Sequence, residues 1–540
     1  MNEKKTKRQL EKIIFLMLFF TGAFFHQPVE YDNTNSRYMI IESVVDYGSL
    51  NIDKFHEGTI DKSFKNGHYY SNKAIGVPLL GVPVYWLLQY INPSSKEQPL
   101  TNSERYIIRI VTTTLPFSFL GVVLFRMACA WRATQRSALW VTFAYAFGSI
   151  ALIHATILSG HQVAASFAFF SFAIIFGLSR LQEMDNENYL FQQLSKSFIA
   201  GFFAGLSALA DYTAMFIALA LTIYVLSLRL QSRQILFFLL GGGLCAAILA
   251  LYNYYCFGSI WSTSYSHLAF ERFREGSSKG FLGVSLPDFR ALLSILISPS
   301  RGLFFIMPVF LFSIIGCISL WKKKEFKRET CFILTVIVGY FLINAGFYGW
   351  HGGWTYGPRY LVPMLPFLAF LMVFARVESF WFYLLFGLSV FQVSLSVIGL
   401  PHVPQEIRNP ISEIILPFLG YGYMAVNAGE WFGLQGLWST IPFFILMVGM
   451  GVLIFRRAAA TQHSEINTIS KAWKISIGFW AALILLMLAV VRTEPQQLVH
   501  FYRAQILYHA VKASHSERLY EKANHEATLG GLKPFPLITK

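Results

Sequence analysis

The sequence predicts an all-α polytopic membrane protein, and three features predict it. Only 14% of its 540 residues are charged while 55% are hydrophobic. Roughly a quarter are charged in soluble globular proteins, so a soluble fold would lack the polar groups to coat its surface. Apolar runs near the length that crosses a bilayer, about 20 residues, recur from one end to the other. The charges between those runs are sorted by sign. Hydrocarbon offers backbone N–H and C=O groups no partner, so the runs are expected to be helices, which satisfy their own.

The first run, Ile13 to Phe25, follows Lys4, Lys5, Lys7, Arg8 and Lys12. It continues into His26-Gln27-Pro28 without a small-residue cleavage site and reads as a retained helix, not a signal peptide. Further on, basic residues gather in short hydrophilic breaks: Arg126, Arg132 and Arg136; Arg229 and Arg233; Lys322 to Arg328; Arg456 and Arg457. Such clusters mark cytoplasmic loops, so the net charge of +15 is a topology signal and no nucleic-acid partner is expected. The run Ile107–Phe125 ends on the first of these clusters. The run before it, Gly76–Ile91, is short and carries Gly76, Pro78, Gly81 and Pro83, so it is expected to lie along the interface rather than cross. Crossings then follow at Ala138–Leu158, Val163–Leu178, Ser197–Ala210, Thr213–Leu228, Ile235–Cys256, Leu303–Leu320, Cys331–Phe347, Leu361–Ala375, Phe380–Leu400, Leu437–Phe455 and Ile475–Val491.

That threading makes about thirteen transmembrane helices across residues 1–491, with the amino terminus cytoplasmic and the carboxyl terminus extracytoplasmic. It places 22 basic against 9 acidic residues inside and 22 against 20 outside, the sign the orientation requires. The outer segments are a large first extracytoplasmic loop (26–105) bearing interfacial helices, then Gly258–Arg301, Pro401–Gly436 and the short Gly349–Arg359. A polar extracytoplasmic tail, 492–540, carries two helix-like stretches, Gln497–Ala513 and Glu517–Ala527. The five cysteines sit in or beside apolar runs with no CxxC pair and read as packing residues.

Chemistry is expected on the outer face. Asp32 stands just past the first helix, where a lipid headgroup would lie; it can act as a general base or cap a following helix from Arg37 to Tyr47, a task Asn35 or Ser36 would also serve. Asn66-Gly67 predicts a tight turn or small hairpin. Lys73, at the start of the interfacial run, can snorkel or hold a phosphate. Arg301 and Arg359 stand where outer segments re-enter helices; their forks suit the phosphate of a donor or of a lipid. His351, Trp354 and Tyr356 offer donors and rings that pack on sugars, or an interfacial aromatic belt. His161 and Asp211, at outer helix ends, read as packing or capping groups. Asp53, His56, Asp61 and His68 lack a diagnostic ligand spacing, so no metal site and no cofactor is evident; a divalent cation shared with phosphate oxygens would leave no trace.

The order of these pieces resembles a known family. A helix, Asp32-x-x-x-x-Arg37-Tyr38, Thr59-Ile60-Asp61, Gly67-His68-Tyr69-Tyr70-Ser71-x-Lys73 and a Gly/Pro apolar helix are followed by His161, Asp211-Tyr212, Tyr252-Asn253, Ser298-Pro299-Ser300-Arg301-Gly302 and Gly352-Gly353-Trp354-Thr355-Tyr356-Gly357-Pro358-Arg359-Tyr360. Together they are similar to the GT-C superfamily of glycosyltransferases, in the bacterial branch related to protein O-mannosyltransferases and the lipid A aminoarabinose transferase. The resemblance implies a GT-C-like bundle in a bacterial inner membrane. It implies transfer of a sugar from a polyprenyl-phosphate-linked donor to a lipid, glycan or protein acceptor on the outer face, by an inverting single displacement. Asp32 matches the first-loop aspartate that serves as base or orients the acceptor. Lys73, with Arg301 and Arg359, is expected at the donor phosphate, and Arg37, His68, Tyr70, His351, Trp354 and Tyr356 at the substrates. The chain departs from that branch at Asn72 and Ala74, where an acidic residue and a proline would stand, and Asn33 replaces a second acid of the eukaryotic enzymes. The donor sugar therefore stays open. A transporter or flippase would show inverted repeats and midplane charge, and neither a repeat nor a low-complexity segment is visible. A polysaccharide polymerase or ligase shares the donor logic, and a structural subunit would need none of these residues.

Overall fold

The computed structural model describes residues 2–27, 31–93, 99–131, 133–180, 187–459, 497–514 and 517–535; the expected crossing Ile475–Val491 lies outside them. The chain is an all-helical bundle. Helix α1 (Asn2–Phe24) is followed by the two-residue strand β1 (Phe25–His26) and by α2 (Asp32–Tyr47). The second helix begins at Asp32 itself, five residues before the expected start, and stops at Gly48, whose φ of +63° favours glycine. The expected hairpin forms from β2 (Lys62–Lys65) and β3 (His68–Ser71), turning on Asn66 (φ +51°) and Gly67 (φ +85°), the left-handed pair that a two-residue turn requires.

Helix α3 (Gly76–Ile91) leaves Leu79, Trp86, Leu87, Tyr90 and Ile91 exposed along one side, at helical spacing. Its other side lies on α2 and on α4 (Asn102–Arg109): Tyr85 donates to Asp46 at 3.0 Å, and Gly81 sits against Ile41 and Ile108. After a π turn, α5 (Leu115–Ala130) completes a long apolar helix with α4. The run expected as one crossing at Ala138–Leu158 is broken into α6 (Gln135–Ala146) and α7 (Ala151–Ala155) at Gly148-Ser149, a pair that kinks helices. Helices α8 (Gly160–Ser179), α9 (Glu187–Ala210), α10 (Met215–Ser227) and α11 (Ser232–Phe257) follow; α9 starts ten residues earlier than expected.

The second outer segment contains α12 (Glu271–Ser277) and α13 (Phe289–Ile297). Met307-Pro308 splits the next run into α14 (Leu303–Ile306) and α15 (Leu311–Trp321), because proline cannot donate to the ladder. Helix α16 (Lys327–Gly346), a 3₁₀ turn over Arg359–Met364, α17 (Leu365–Leu371) and α18 (Phe380–Ile398) come next. The third outer segment holds a short apolar helix that the sequence reading missed, α19 (Leu416–Tyr421), and strand β4 (Val426–Asn427), which pairs antiparallel with β1. Helix α20 (Ile441–Ala459) closes the bundle, and the tail supplies α21 (Gln497–Ser514) and α22 (Glu517–Leu529). Among the described residues, six helices are long and apolar enough to cross a membrane, and shorter apolar helices cover Tyr212–Ser227, Pro308–Trp321 and Arg359–Phe374.

The basic breaks meet on one face. Arg126 pairs with Glu11 at 2.7 Å, Arg457 donates to Gln9, Arg136 lies by Glu378, and Arg180 by Glu325 and Glu329. The tail lies on the other face, where Tyr502 meets Trp354 and Arg503 donates to the Glu413 carbonyl at 2.6 Å.

Glycines let α9 and α11 touch backbone to backbone. A Cβ at Gly201 would lie 1.8 Å from the Phe238 carbonyl oxygen, and one at Gly241 would lie 2.1 Å from that of Phe198. With Gly205 a helical turn further on, against Cys245, this is a small-residue seam of the kind that holds helices together in lipid, where apolar burial supplies no net attraction. Gly201→Val should force the pair apart and lower the melting midpoint of the purified protein, since overpacking costs about 1–3 kcal/mol. An unchanged midpoint would show that the seam is not a close contact.

Candidate active site

The site is built where α2 begins. Tyr31, which precedes the helix, packs its ring on His402 (4.5 Å) and Trp354 (5.4 Å), so the first outer segment is held against two distant ones. Asp32 is the first residue of the helix, where the positive end of the dipole favours a carboxylate. Its side chain accepts from the Ile60 N–H at 2.8 Å, and its carbonyl accepts from the Thr59 hydroxyl at 2.9 Å. Burial, helped by the nearby Asp61 carboxylate, raises its pKa above the ordinary carboxylate value, although the Ile60 N–H and Lys73 pull the other way.

Beside it lies a buried ion pair. Lys73 Nζ is 2.9 Å from Asp61, and both side chains are about nine-tenths covered. Burial opposes ionisation of Asp61, yet Lys73, Arg359 and the amide of Asn72 outweigh it and hold its pKa below the usual value. For Lys73, burial together with Arg37 and Arg359 outweighs Asp61 and brings the ammonium down. The pair is fastened from several directions: Ser36 donates to the Asp61 carbonyl at 2.6 Å and bonds Ser71 at 2.7 Å, while Ser264 reaches the Asn72 carbonyl at 3.1 Å.

Two arginines face this pair. Arg37, only 4% exposed, donates through Nη1 to the carbonyl and side chain of Asn33, and its Nε has no partner. It passes directly over Gly160, where a Cβ would lie 2.9 Å from Nη2. Arg359 likewise keeps a buried Nε without a partner, and Gly352, at φ +76°, lets the loop close over its stem. Further unpartnered buried atoms stand nearby: Asn72 Oδ1, His154 Nε2 and His402 Nε2. Burying a polar atom unpaired costs about 1–3 kcal/mol, so such a concentration marks a place that a polar ligand would complete. His161 pairs with Asp211, which also caps the turn at Thr213 (2.9 Å), and His161 sets its ring edge-on to Tyr360 at 5.5 Å.

Asp32, Arg37, Lys73 and Arg359 are thus brought into one polar cluster, and other expected site residues are not. Arg301, expected at a phosphate, is 1% exposed and gives its guanidinium to carbonyls: His351 at 2.7 Å, Ser300 and Gly353 at 2.9 Å, and Val403 at 3.3 Å. Its work is to hold the 349–359 and 401–403 segments together. His351 accepts from the Gly353 N–H, and burial beside Arg301 and Arg359 pushes its pKa down to about 4, so it is neutral. Trp354 reaches the cluster through Tyr31. Tyr356 is fully buried, its hydroxyl turned to Gln392 in the bundle. His68 is at the exposed hairpin, paired with Asp53 at 2.6 Å, and Tyr70 packs into a core against Phe257. Asp61 and the His161–Asp211 pair were under-read, because nothing local distinguishes a solvated loop carboxylate from one that folding buries against a lysine. Among the described residues no three His, Cys, Asp or Glu side chains gather as metal ligands.

Asp61→Ala would leave the Lys73 ammonium buried alone, and breaking one side of a buried pair costs about 3–5 kcal/mol. The melting midpoint should fall for D61A and recover in the D61A/K73M double variant; equal midpoints for wild type and D61A would show that the pair does not support the fold.

No family model matches the sequence, and no curated protein matches it. Similar solved structures include the crystal structure of ArnT from Cupriavidus metallidurans bound to undecaprenyl phosphate, 13% identical with a TM-score of 0.45, covering 88% of this chain and 75% of that one. The same protein in the apo state is 12% identical with a TM-score of 0.40, covering 69% of this chain and 60% of that one. By its apolar helices, packed as an all-α bundle, the chain is an integral membrane protein.

Proposed function

We propose that the chain is a GT-C type glycosyltransferase that moves a sugar from a polyprenyl-phosphate-linked donor to an acceptor hydroxyl on the extracytoplasmic side of a bacterial inner membrane. The observation that carries this reading is a half-buried carboxylate of raised pKa, Asp32, within the field of Lys73, which in turn lies in the field of two further cations, Arg37 and Arg359. The motif order in the sequence supports it independently. In this reading the basic face is cytoplasmic, so the amino terminus lies inside and the tail outside.

The chemistry follows from the charges. When phosphate leaves an anomeric carbon, negative charge grows on its oxygens, and fixed cations in a water-poor site stabilise that charge. Arg37 and Arg359 each hold an Nε free to donate, and Lys73 spends one of its three N–H groups on Asp61. Asp32 takes the proton of the acceptor hydroxyl as it attacks, and one displacement inverts the anomeric centre. A base with a raised pKa holds its proton more firmly once transferred, which favours this role. Arg301 positions the loop that carries Arg359.

Asp32→Asn should lower transfer in reconstituted membranes by about 10²–10⁴-fold while leaving donor binding largely intact. The rate of the wild type should rise with pH through a limb displaced above the ordinary carboxylate range, since Asp32 must be ionised to accept a proton and burial raises its pKa. Asp32→Glu should keep such a limb. Normal turnover of D32N would end the assignment.

A further inference from the structure

A hollow on the opposite face from Asp32 carries a further inference. The ends of α8 and α10 and the first turns of α16 diverge there and enclose about 700 Å3. Its floor is aromatic, with Tyr224 stacked on Phe332 at 5.2 Å and Phe332 on Phe172 at 5.1 Å. The Tyr224 hydroxyl donates to the buried Glu329 at 3.2 Å. Arg180 lies 5.0 Å over the Phe326 ring, with Glu325 and Glu329 each 3.7 Å away. At the mouth stand Lys324, Lys327 and Arg328, all exposed, and no carboxylate among the described residues forms an ion pair with them. One wall is apolar and open to the outside of the bundle: Ile223 is 60% exposed, in line with Leu219 and Leu226 on the same side of α10.

Basic residues that served only to orient the chain would need no particular surface. Here four cations and two carboxylates surround a concavity, both carboxylates have Arg180 beside them, and the remaining cations face a hollow with an apolar wall. Charge at one end and hydrocarbon along the side match one kind of occupant. We propose that the hollow holds an anionic phospholipid of the adjacent leaflet, its phosphate among Lys324, Lys327 and Arg328 and an acyl chain along the Ile223 wall.

The test uses purified full-length protein, with native mass spectrometry counting lipids retained from mixtures of phosphatidylglycerol and phosphatidylcholine. Wild type should retain phosphatidylglycerol in preference. K327Q/R328Q should weaken that retention by about fivefold per cation removed. Ser227→Trp, on the lining, fills the hollow without changing charge and should weaken it comparably. Three results would overturn the proposal. They are equal retention of the two lipids, wild-type retention by S227W (surface charge alone suffices), and displacement of the lipid by millimolar inorganic phosphate. These variants are remote from Asp32, so the outcome does not depend on whether sugar transfer is confirmed.

Discussion

Charge does not enter hydrocarbon cheaply, at roughly 3 kcal/mol for an arginine or aspartate at a helix centre, and this single cost sorts the whole molecule. Cationic helix ends collect on one face, where Arg126, Arg136 and Arg180 find Glu11, Glu378 and Glu329. A second set of charged groups collects on the other, where outer segments fold back and cover Asp61, Lys73, Arg37 and Arg359. Between the two faces the bundle is lined with Phe, Leu, Ile and Ala. The separation is what assembles the candidate site: charge expelled from the middle must be concentrated at the rims.

At the site rim the charges are covered but not neutralised. Arg301 shows what a finished structural arginine looks like, every nitrogen of its guanidinium on a backbone carbonyl. Arg37 and Arg359 differ, since each retains a buried nitrogen with nothing to donate to. An anionic ligand would remove that deficit. Within the cluster the Asp61 carboxylate offsets the Lys73 ammonium, which would be costly to bury alone. Asp32, at the margin of this field, keeps a carboxylate that is neither paired nor fully solvated.

Positioning depends on contacts between segments far apart in sequence. Tyr31 binds the start of α2 to Trp354 and His402, and β1 pairs with β4 some four hundred residues later. Gly76 lies against the backbone of Leu209 and Ala210, and a Cβ at Gly160 would meet the Ala210 carbonyl oxygen, so α3, α8 and α9 converge beside Arg37. Small residues make these approaches possible, and the polar segments need them because loops alone would not hold a cluster of like charges at fixed separation.

The class of the protein, the order of its helices and the separation of a basic from a polar face were all legible in the residues. Hydropathy and charge bias are sums over a segment, and a sum survives ignorance of what the segment packs against. The hairpin at Asn66-Gly67 and both tail helices were legible too, because turn dihedrals and helical periodicity are local. The breaks at Gly148 and Pro308 were visible as residues but not as breaks, since a bundle decides whether a kink is straightened or used. Which polar side chains meet was decided only by the tertiary structure. Arg301 and Arg359 stand in similar settings in the chain, yet the first is satisfied by carbonyls from two other segments and the second is not. His68 and Tyr70 sit near Lys73 in sequence, yet His68 pairs with Asp53 and Tyr70 packs on Phe257, partners supplied by other segments. A side chain's partner is set by the fold of distant segments, and no local pattern encodes it.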